Sequence, residues 1–246
     1  MYDIIKDKVY AVVPARSGSK GVKNKNIKTL CGHPLLSYSI IAAKKTKSTE
    51  RIIISSDSPE YIKIAKSYGA EAPFIRPSEI SGDKSSDYEC IKHMLDFLQE
   101  NEGHVPEYII HLRPTTPFRD PVLIDEAVHK IMSERNATAL RSAHEMSETA
   151  YKCLEIKNSL FKPLGATSFD MDVANLPRQM FPKTYSANGY IDILKSSFIA
   201  SAGKIHGDHV VAFVTPVTLE VDTAYDFKAL EQYAAENIFL IERLFT

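Results

Sequence analysis

Short apolar runs alternate with helical apolar patterns along the chain, and this order predicts the fold. Strands are predicted at residues 9–13, 51–56, 72–76, 108–113, 137–143, 151–156, 188–193 and 210–214. Helices are predicted at residues 35–46, 59–68, 88–99, 121–135, 196–202 and 224–236. Strands and helices that alternate at this spacing form right-handed βαβ units. The pattern therefore predicts an α/β fold with a mostly parallel sheet flanked by helices.

The alternation weakens between residues 144 and 182, which indicates an excursion from the main sheet. The chain of 246 residues is long enough for one α/β domain with its own core. We therefore predict a single domain over residues 1–246, with residues 144–182 as an excursion within it.

Composition narrows the range of partners. A net charge near −1 lacks the basic excess of a nucleic-acid-binding protein. The N-terminus lacks a long apolar segment, and no run approaches the ~20 apolar residues of a membrane span. Three widely spaced cysteines, Cys31, Cys90 and Cys153, suit neither a disulfide framework nor a metal site. We expect a cytoplasmic protein that binds neither nucleic acid nor membrane.

The loop after the first strand carries the main chemical signal. Pro14 ends the strand, and the following residues include two glycines and a cluster of cations: Arg16, Gly18, Lys20, Gly21, Lys23 and Lys25. Glycines allow close backbone approach, and clustered cations with free N–H groups suit several phosphates. A solvated basic loop is the alternative. The loop lacks both the Walker pattern and the third glycine of the dinucleotide fingerprint.

Two acids near the carboxyl end form a second candidate centre. Glu220 and Asp222 are spaced to share one face of a strand end, where their oxygens could hold a hard divalent cation. In the alternative, Asp222 is the N-cap of the last helix, with Asp226 in its first turn. The cationic loop favours the metal, because a triphosphate needs its charge neutralised.

Several motifs, in order, resemble the acylneuraminate cytidylyltransferases. The resemblance rests on Ala15-Arg16-Ser17-Gly18-Ser19-Lys20-Gly21, Lys25-Asn26, the Pro114-Thr115-x-Pro-x-Arg119 frame, Asn188-Gly189 and the Glu220-x-Asp222 pair. It implies a Rossmann-like fold and the synthesis of a CMP-sugar from CTP and a nine-carbon 2-keto acid. The anomeric hydroxyl of the sugar acid would attack the α-phosphorus of CTP, and pyrophosphate would leave. The resemblance also implies Mg²⁺ and a homodimer whose contact region is the excursion.

The resemblance assigns roles to individual residues. Nucleotide-binding positions are Ala15, Arg16, Ser17, Gly18, Lys20, Lys25, Asn26, Arg76, Ser85 and Asp87, where Ser85 or Ser86 could instead cap a helix. Catalytic positions are Arg16, Lys20, Lys25, Asn26 and Asp222, and the metal ligands are Asp222 and Glu220. Positions for the acceptor sugar are Arg113, Thr115, Lys152, Arg178 and Asn188, whereas Arg119 could serve a structural role and lone cations are more often solvated. No residue stands out as a general base.

Three positions depart from the family pattern. Arg113 replaces a frequent glutamine, Asp192 stands where a tyrosine is common, and Glu220 replaces the first of two aspartates. An arginine donates only, whereas an amide donates and accepts, so we expect a different sugar or a different grip on it. We predict legionaminic acid or a related di-acylamino acid, with N-acetylneuraminic acid second. Glu220 leaves open a non-catalytic nucleotide-binding module. The missing third glycine disfavours an oxidoreductase.

Overall fold

The computed structural model describes residues 2–164 and 170–246. Its strands are β1 (Ile4–Pro14), β2 (Thr29–Leu30), β3 (His33–Pro34), β4 (Arg51–Ser55), β5 (Val105–His111), β6 (Ala139–Glu145), β7 (Leu154–Lys157), β8 (Leu160–Pro163), β9 (Tyr185–Lys195) and β10 (Val210–Val214). Its α-helices are α1 (Leu35–Lys44), α2 (Pro59–Ser67), α3 (Asp87–Glu102), α4 (Pro121–Ser133), α5 (Met171–Ala174), α6 (Ser196–Ala202), α7 (Ala224–Glu236) and α8 (Ile238–Phe245).

A six-stranded sheet organises the molecule in the order β10-β6-β9-β5-β1-β4. Strand β9 runs antiparallel to both of its neighbours, and the other pairings are parallel. The mostly parallel α/β sheet predicted from the sequence is therefore confirmed. The chain leaves β4 on one side of β1 and returns as β5 on its other side, so the connections diverge at β1. Such a reversal opens a crevice beyond the carboxyl ends of the strands, where α/β proteins bind ligands.

Alternation along β1 distributes its side chains between two apolar layers. Val9, Ala11 and Val13 belong to one buried cluster, which packs against α1, α2, α4, α7 and α8. Tyr10 and Val12 belong to the second cluster, which packs against α3 and α6. Successive residues of a strand point to opposite faces, so a strand covered on both sides is apolar throughout. The central position of β1 fixes where the loop after Pro14 begins.

Several sequence predictions differ from the structure. Residues 72–76 form no strand, because Pro73 lacks an N–H and the edge of β4 offers only the isolated bridge between Ile53 and Glu71. Residues 219–222 are irregular rather than a strand end, and the backbone N–H of Val221 donates to the carbonyl of Thr115. Helix α8 was absent from the prediction.

The excursion between β6 and β9 contains its own two-stranded sheet. Strands β7 and β8 pair with each other as an antiparallel hairpin outside the main sheet. The strand predicted at residues 151–156 is wrong in its first half, because residues 151 and 152 belong to a 3₁₀ turn, and only residues 154–156 are extended, as part of β7. Part of the predicted excursion, residues 165–169, lies outside the described residues. Within the described ranges, each helix is too short or too polar to cross a bilayer.

Candidate active site

An open cavity of about 430 Å³ lies beyond the carboxyl ends of β1, β4 and β5. The loops after β1 and β5, the segment between α2 and α3 and the first turn of α3 supply most of its walls, and the segment before α7 closes one side. Its lining consists of Pro14, Arg16, Ser19, Lys20, Gly21, Lys25, Asn26, Arg76, Asp83, Ser85, Ser86, Asp87, Cys90, Arg113, Pro114, Thr115 and Asp222. Parallel neighbouring strands end at the same edge of a sheet, so residues far apart in sequence meet here.

The cationic loop and the carboxyl-terminal acid segment meet at Lys25. Its ammonium group donates to the backbone carbonyl of Val221 at 2.7 Å and to Oδ1 of Asp222 at 3.1 Å. The backbones also touch, because a Cβ on Gly21 would overlap the carbonyl oxygen of Asp222. Glycine is therefore required at position 21, because a side chain there would clash with the backbone of the segment at Asp222. The predicted candidate centres lie on one cavity.

Arg16 and Lys20 share a carboxylate on the opposite loop. Nη2 of Arg16 lies 2.9 Å from Oδ1 of Asp83, and the ammonium group of Lys20 pairs with Oδ2 of the same residue. Both cations lower the pKa of Asp83 below its usual value. Asp83 was not among the predicted site residues, since an acid in a polar loop carries no local signal for this contact. Asp83 provides a counter-ion for the two cations at the cavity mouth.

Other residues of the loop maintain its shape. The N–H and hydroxyl of Ser17 both donate to the carboxylate of Asp57, at 2.7 and 2.5 Å. The side-chain amide of Asn26, which is buried, donates to the carbonyl of Arg16 at 3.0 Å. Ala15 donates its N–H to the carbonyl of Ser55, and Gly18 adopts φ +73°. Ala15, Ser17 and Gly18 therefore support the cationic side chains from behind the cavity wall.

Asp222 presents its carboxylate to the cavity, whereas Glu220 is turned away. The N-cap of α7 is Thr223, whose hydroxyl accepts the N–H of Asp226 while the Asp226 carboxylate accepts the N–H of Thr223. The alternative that Asp222 caps this helix is therefore wrong. Glu220 accepts a hydrogen bond from the backbone N–H of Gly189 on β9. Its role as a metal ligand stays a prediction.

The base of the cavity contains a buried guanidinium with unused donors. Arg76 is 5% exposed, and its Nε and Nη2 have no hydrogen-bond partner among the described residues. Buried donors without partners are costly, so such a group indicates a missing acceptor. Ser86 caps α3 through a capping box with Glu89. The neighbouring Ser85 is thereby left to line the cavity beside Arg76.

Arg113 is held between two carboxylates. Nη1 donates to Oδ2 of Asp192 at 2.8 Å, and Nη2 donates to Oδ2 of Asp87 at 2.7 Å. Arg113 and Asp192 are thus in direct contact, although both depart from the family pattern. Burial alone would raise the pKa of Asp192, but His206 and the Arg113 guanidinium lower it to about 2.

His111 lies beneath this ion-pair group on β5. Its ring nitrogens are 3.8 Å from Oδ1 of Asp87 and 4.0 Å from Oδ2 of Asp192. Complete burial, followed by the positive charge of Arg113, lowers the pKa of His111 to about 4. The imidazole is therefore neutral at pH 7. Sequence reasoning missed it because a single histidine in an apolar strand resembles an ordinary core residue.

Three residues predicted to contact the acceptor sugar lie outside this cavity. Asn188 is buried, and its carboxamide bonds to Ser142, His144 and Thr215. Arg178 pairs with Glu145 at 2.7 Å on the excursion, and Lys152 lies 3.8 Å from Glu148. The other two, Arg113 and Thr115, line the cavity. Arg119 is fully enclosed and donates to the carbonyls of Arg113, Gly189 and Tyr190, which makes it a structural support for the turn.

Comparisons with known proteins agree with this arrangement. A model of the cytidylyltransferase family matches residues 10–191. The N-acylneuraminate cytidylyltransferase of Escherichia coli O18:K1:H7 is 32% identical over 230 residues, which cover 91% of this chain. The chain spans about half of that protein, 51% of its length. The CMP-N,N'-diacetyllegionaminic acid synthase of Campylobacter jejuni is 29% identical over 228 residues, covering 91% of this chain and 93% of the relative.

A solved structure supports the fold. The CMP:2-keto-3-deoxy-manno-octonic acid synthetase complexed with CTP superposes with a TM-score of 0.67 at 14% identity. The match covers 93% of this chain and 99% of that one. At this identity, the likeness extends to the α/β fold alone.

Proposed function

Since the chain belongs to the cytidylyltransferase family, we propose that it activates a nonulosonic acid with CTP. The anomeric hydroxyl of the sugar acid attacks the α-phosphorus, a new P–O bond forms, and the bond to the β-phosphate breaks. The products are the CMP-sugar, pyrophosphate and the proton of the attacking hydroxyl. The observation that carries this proposal is the contact of Lys25 with Val221 and Asp222, which unites the cationic loop and the acid segment on one cavity.

The protein contributes to this reaction by positioning the triphosphate and by neutralising its negative charge. Arg16, Lys20 and Lys25 are the cations available to the triphosphate, and Asn26 holds the loop that carries them. Fixed charges in a preorganised site stabilise the charge that develops on departing pyrophosphate. Arg76 and Ser85 line the cavity, and a guanidinium and a hydroxyl suit the carbonyl and ring nitrogen of cytosine.

Mg²⁺ fits this site through Asp222. Its side chain is 79% exposed, and among the described residues only Oδ1 is paired, which leaves Oδ2 for a cation. No cluster of three or more His, Cys, Asp or Glu side chains that could hold a metal occurs in the described part of the chain. Mg²⁺ commonly uses one or two carboxylates plus substrate phosphates and water, so a preformed cage is unnecessary. Bound there with CTP, Mg²⁺ would supply neutralisation of phosphate charge.

The proposed acceptor is a legionaminic-type di-acylamino acid, with N-acetylneuraminic acid as second candidate. The legionaminic acid synthase of Campylobacter jejuni matches this chain over nearly the full length of both proteins, whereas the Escherichia coli N-acylneuraminate enzyme is about twice as long. Arg113 and Asp192, which depart from the family pattern, favour the same ranking. This choice is independent of the nucleotide chemistry.

We also propose a cytoplasmic homodimer. Large apolar side chains are exposed on the β7–β8 hairpin, including Ile156 at 71% and Leu160 at 66%. Exposed apolar patches of this kind mark interfaces. A second copy on this face could bring Lys152 and Arg178 to the partner's cavity, where they would meet the sugar carboxylate. Light scattering tests the dimer, and Ile156→Asp is expected to shift it to monomer.

The decisive experiment measures pyrophosphate release from CTP, UTP or ATP with a panel of nonulosonic acids. We expect turnover with CTP, dependence on Mg²⁺ that EDTA abolishes, and higher kcat/KM for the di-acylamino acid than for N-acetylneuraminic acid. Absence of pyrophosphate release with every acid would favour a non-catalytic nucleotide-binding module. Equal or reversed rates for the two acids would contradict the sugar ranking alone.

A further inference from the structure

The contacts of Arg113 leave part of its guanidinium free. The side chain lines the cavity, and each Nη group uses a hydrogen to bind Asp87 or Asp192. A guanidinium has five N–H donors in a fixed fork. Donors that are not engaged by the carboxylates are therefore available to a ligand. Their direction is set by the two acids that grip the group.

The charge of this group excludes phosphate as its partner. One guanidinium faces two carboxylates, so Arg113, Asp87 and Asp192 together carry a net charge of −1. The neighbouring His111 is neutral at pH 7, and Arg141 lies 3.8 Å from Asp192, which brings the balance close to zero. Arg16, Lys20 and Lys25 face only two carboxylates, Asp83 and Asp222, so that side of the cavity keeps a net charge of +1, which attracts a triphosphate. Neutral oxygen acceptors are the ligand groups that match a directional donor without net positive charge.

Asp192 cannot itself reach the ligand. It is fully buried on β9, opposite His111 of β5 on one side and Arg141 of β6 on the other. Asp87 differs, because it begins α3 and lines the cavity. The pairing of β9 with β5 and with β6 thus fixes the position of Asp192 in the sheet. Its carboxylate in turn fixes the position of Nη1 of Arg113 through their hydrogen bond.

We propose that Asp192 is a positioning residue for acceptor specificity: it orients Arg113 so that its free N–H groups read a neutral oxygen of the sugar acid, an acylamino carbonyl or a hydroxyl. This inference rests on the proposed function. The base of CTP is the competing source of neutral acceptors, and the proposed function assigns that base to Arg76 and Ser85, which also line the cavity. The acceptor sugar is therefore assigned to Arg113.

The test compares steady-state constants for the wild type, Asp192→Asn and Asp125→Asn, with CTP and the sugar acid varied in turn. Asparagine replaces a charge-assisted acceptor by a neutral amide and loosens Arg113. We expect KM for the sugar acid to rise about tenfold, with KM for CTP unchanged within about twofold. The ratio of kcat/KM between the di-acylamino acid and N-acetylneuraminic acid should fall. Asp125→Asn makes the same substitution at a carboxylate that accepts the backbone N–H groups of Lys47 and Ser48 away from the cavity, so its constants should stay at the wild-type values.

Arg113→Lys provides a second variant, because it keeps the charge and loses the fork. The same selective rise in KM for the sugar acid is expected, and it keeps the inference testable if Asp192→Asn is unstable. A rise in KM for CTP instead would assign Arg113 to cytosine and overturn the proposal. A lower Tm with both KM values unchanged would reduce Asp192 to a structural role. Wild-type protein that uses no sugar acid would refute the proposed function itself, and the inference with it.

Discussion

Replacement of Gly21 by alanine tests the contact on which the active site depends. An added Cβ would overlap the carbonyl oxygen of Asp222 and lie 3.2 Å from its carbonyl carbon. Both are backbone atoms, so no side-chain rotation relieves the overlap. Unstrained contact requires the loop and the acid segment to separate by roughly 1 Å. A displacement of that size at a reaction centre lowers the rate by about 10²-fold. We expect Gly21→Ala to reduce kcat/KM for CTP about a hundredfold.

The matched control is Gly18→Ala in the same loop. Gly18 has φ +73°, which costs alanine about 1 kcal/mol, but no described atom lies within 4 Å of the new Cβ. This variant should lose stability and keep most of its activity, whereas Gly21→Ala should lose activity. Pyrophosphate release and thermal unfolding of both variants measure the difference. If Gly21→Ala retained kcat/KM within threefold of wild type, contact between the loop and Asp222 would be irrelevant to catalysis.

Two further predictions concern charge. Asp83→Asn removes the carboxylate that competes with phosphate for Arg16 and Lys20, so KM for CTP should fall about threefold at low salt; a higher KM would mean that Asp83 assists binding. The pKa of His111 is about 4 in the folded chain against a usual 6.5, so the unfolded chain takes up the proton first and the free energy of unfolding falls as pH drops from 6.5 to 4. The loss is on the order of 3 kcal/mol, and urea unfolding of His111→Gln should show a flatter pH dependence; equal slopes would contradict it.

Local signals determined which parts of the fold could be predicted. The predicted bounds 196–202, 210–214 and 224–236 coincide with α6, β10 and α7. Gly203, which follows the last residue of α6, adopts φ +63°, and α7 begins with a capping box at Thr223. Both helices therefore have a start or stop signal that can be recognised in the sequence. Residues 72–76 fail for the opposite reason. Their composition suits a strand, but a strand needs a continuous ladder of hydrogen bonds to a neighbour. Beside β4 the chain makes only an isolated bridge at Glu71 and a single backbone hydrogen bond from Arg76 to Ser56.

The residues of the candidate site also fall into those that a local sequence pattern predicts and those that it does not. The cationic loop could be predicted because its glycines and cations lie within ten residues of one another, between Arg16 and Lys25. The Thr223-x-x-Asp226 pattern was also present, and it could have excluded Asp222 as a cap. The contacts of Asp83 with Arg16 and of Arg113 with Asp192 join residues 67 and 79 positions apart. Only tertiary packing brings such pairs together, so these contacts could not be predicted from a local sequence pattern.

The active site combines a fixed backbone with exposed charged tips. The ammonium group of Lys25 donates to the carbonyl of Val221, and the N–H of Val221 donates to the carbonyl of Thr115. These hydrogen bonds link the loop after β1, the segment before α7 and the loop after β5. By contrast, the side chains of Lys20 and Asp222 are 81% and 79% exposed. Asp83 neutralises Lys20 in this state, and an arriving phosphate exchanges one anion for another. Little backbone entropy is then lost on binding, and the interaction energy can serve orientation of the α-phosphate and neutralisation of pyrophosphate.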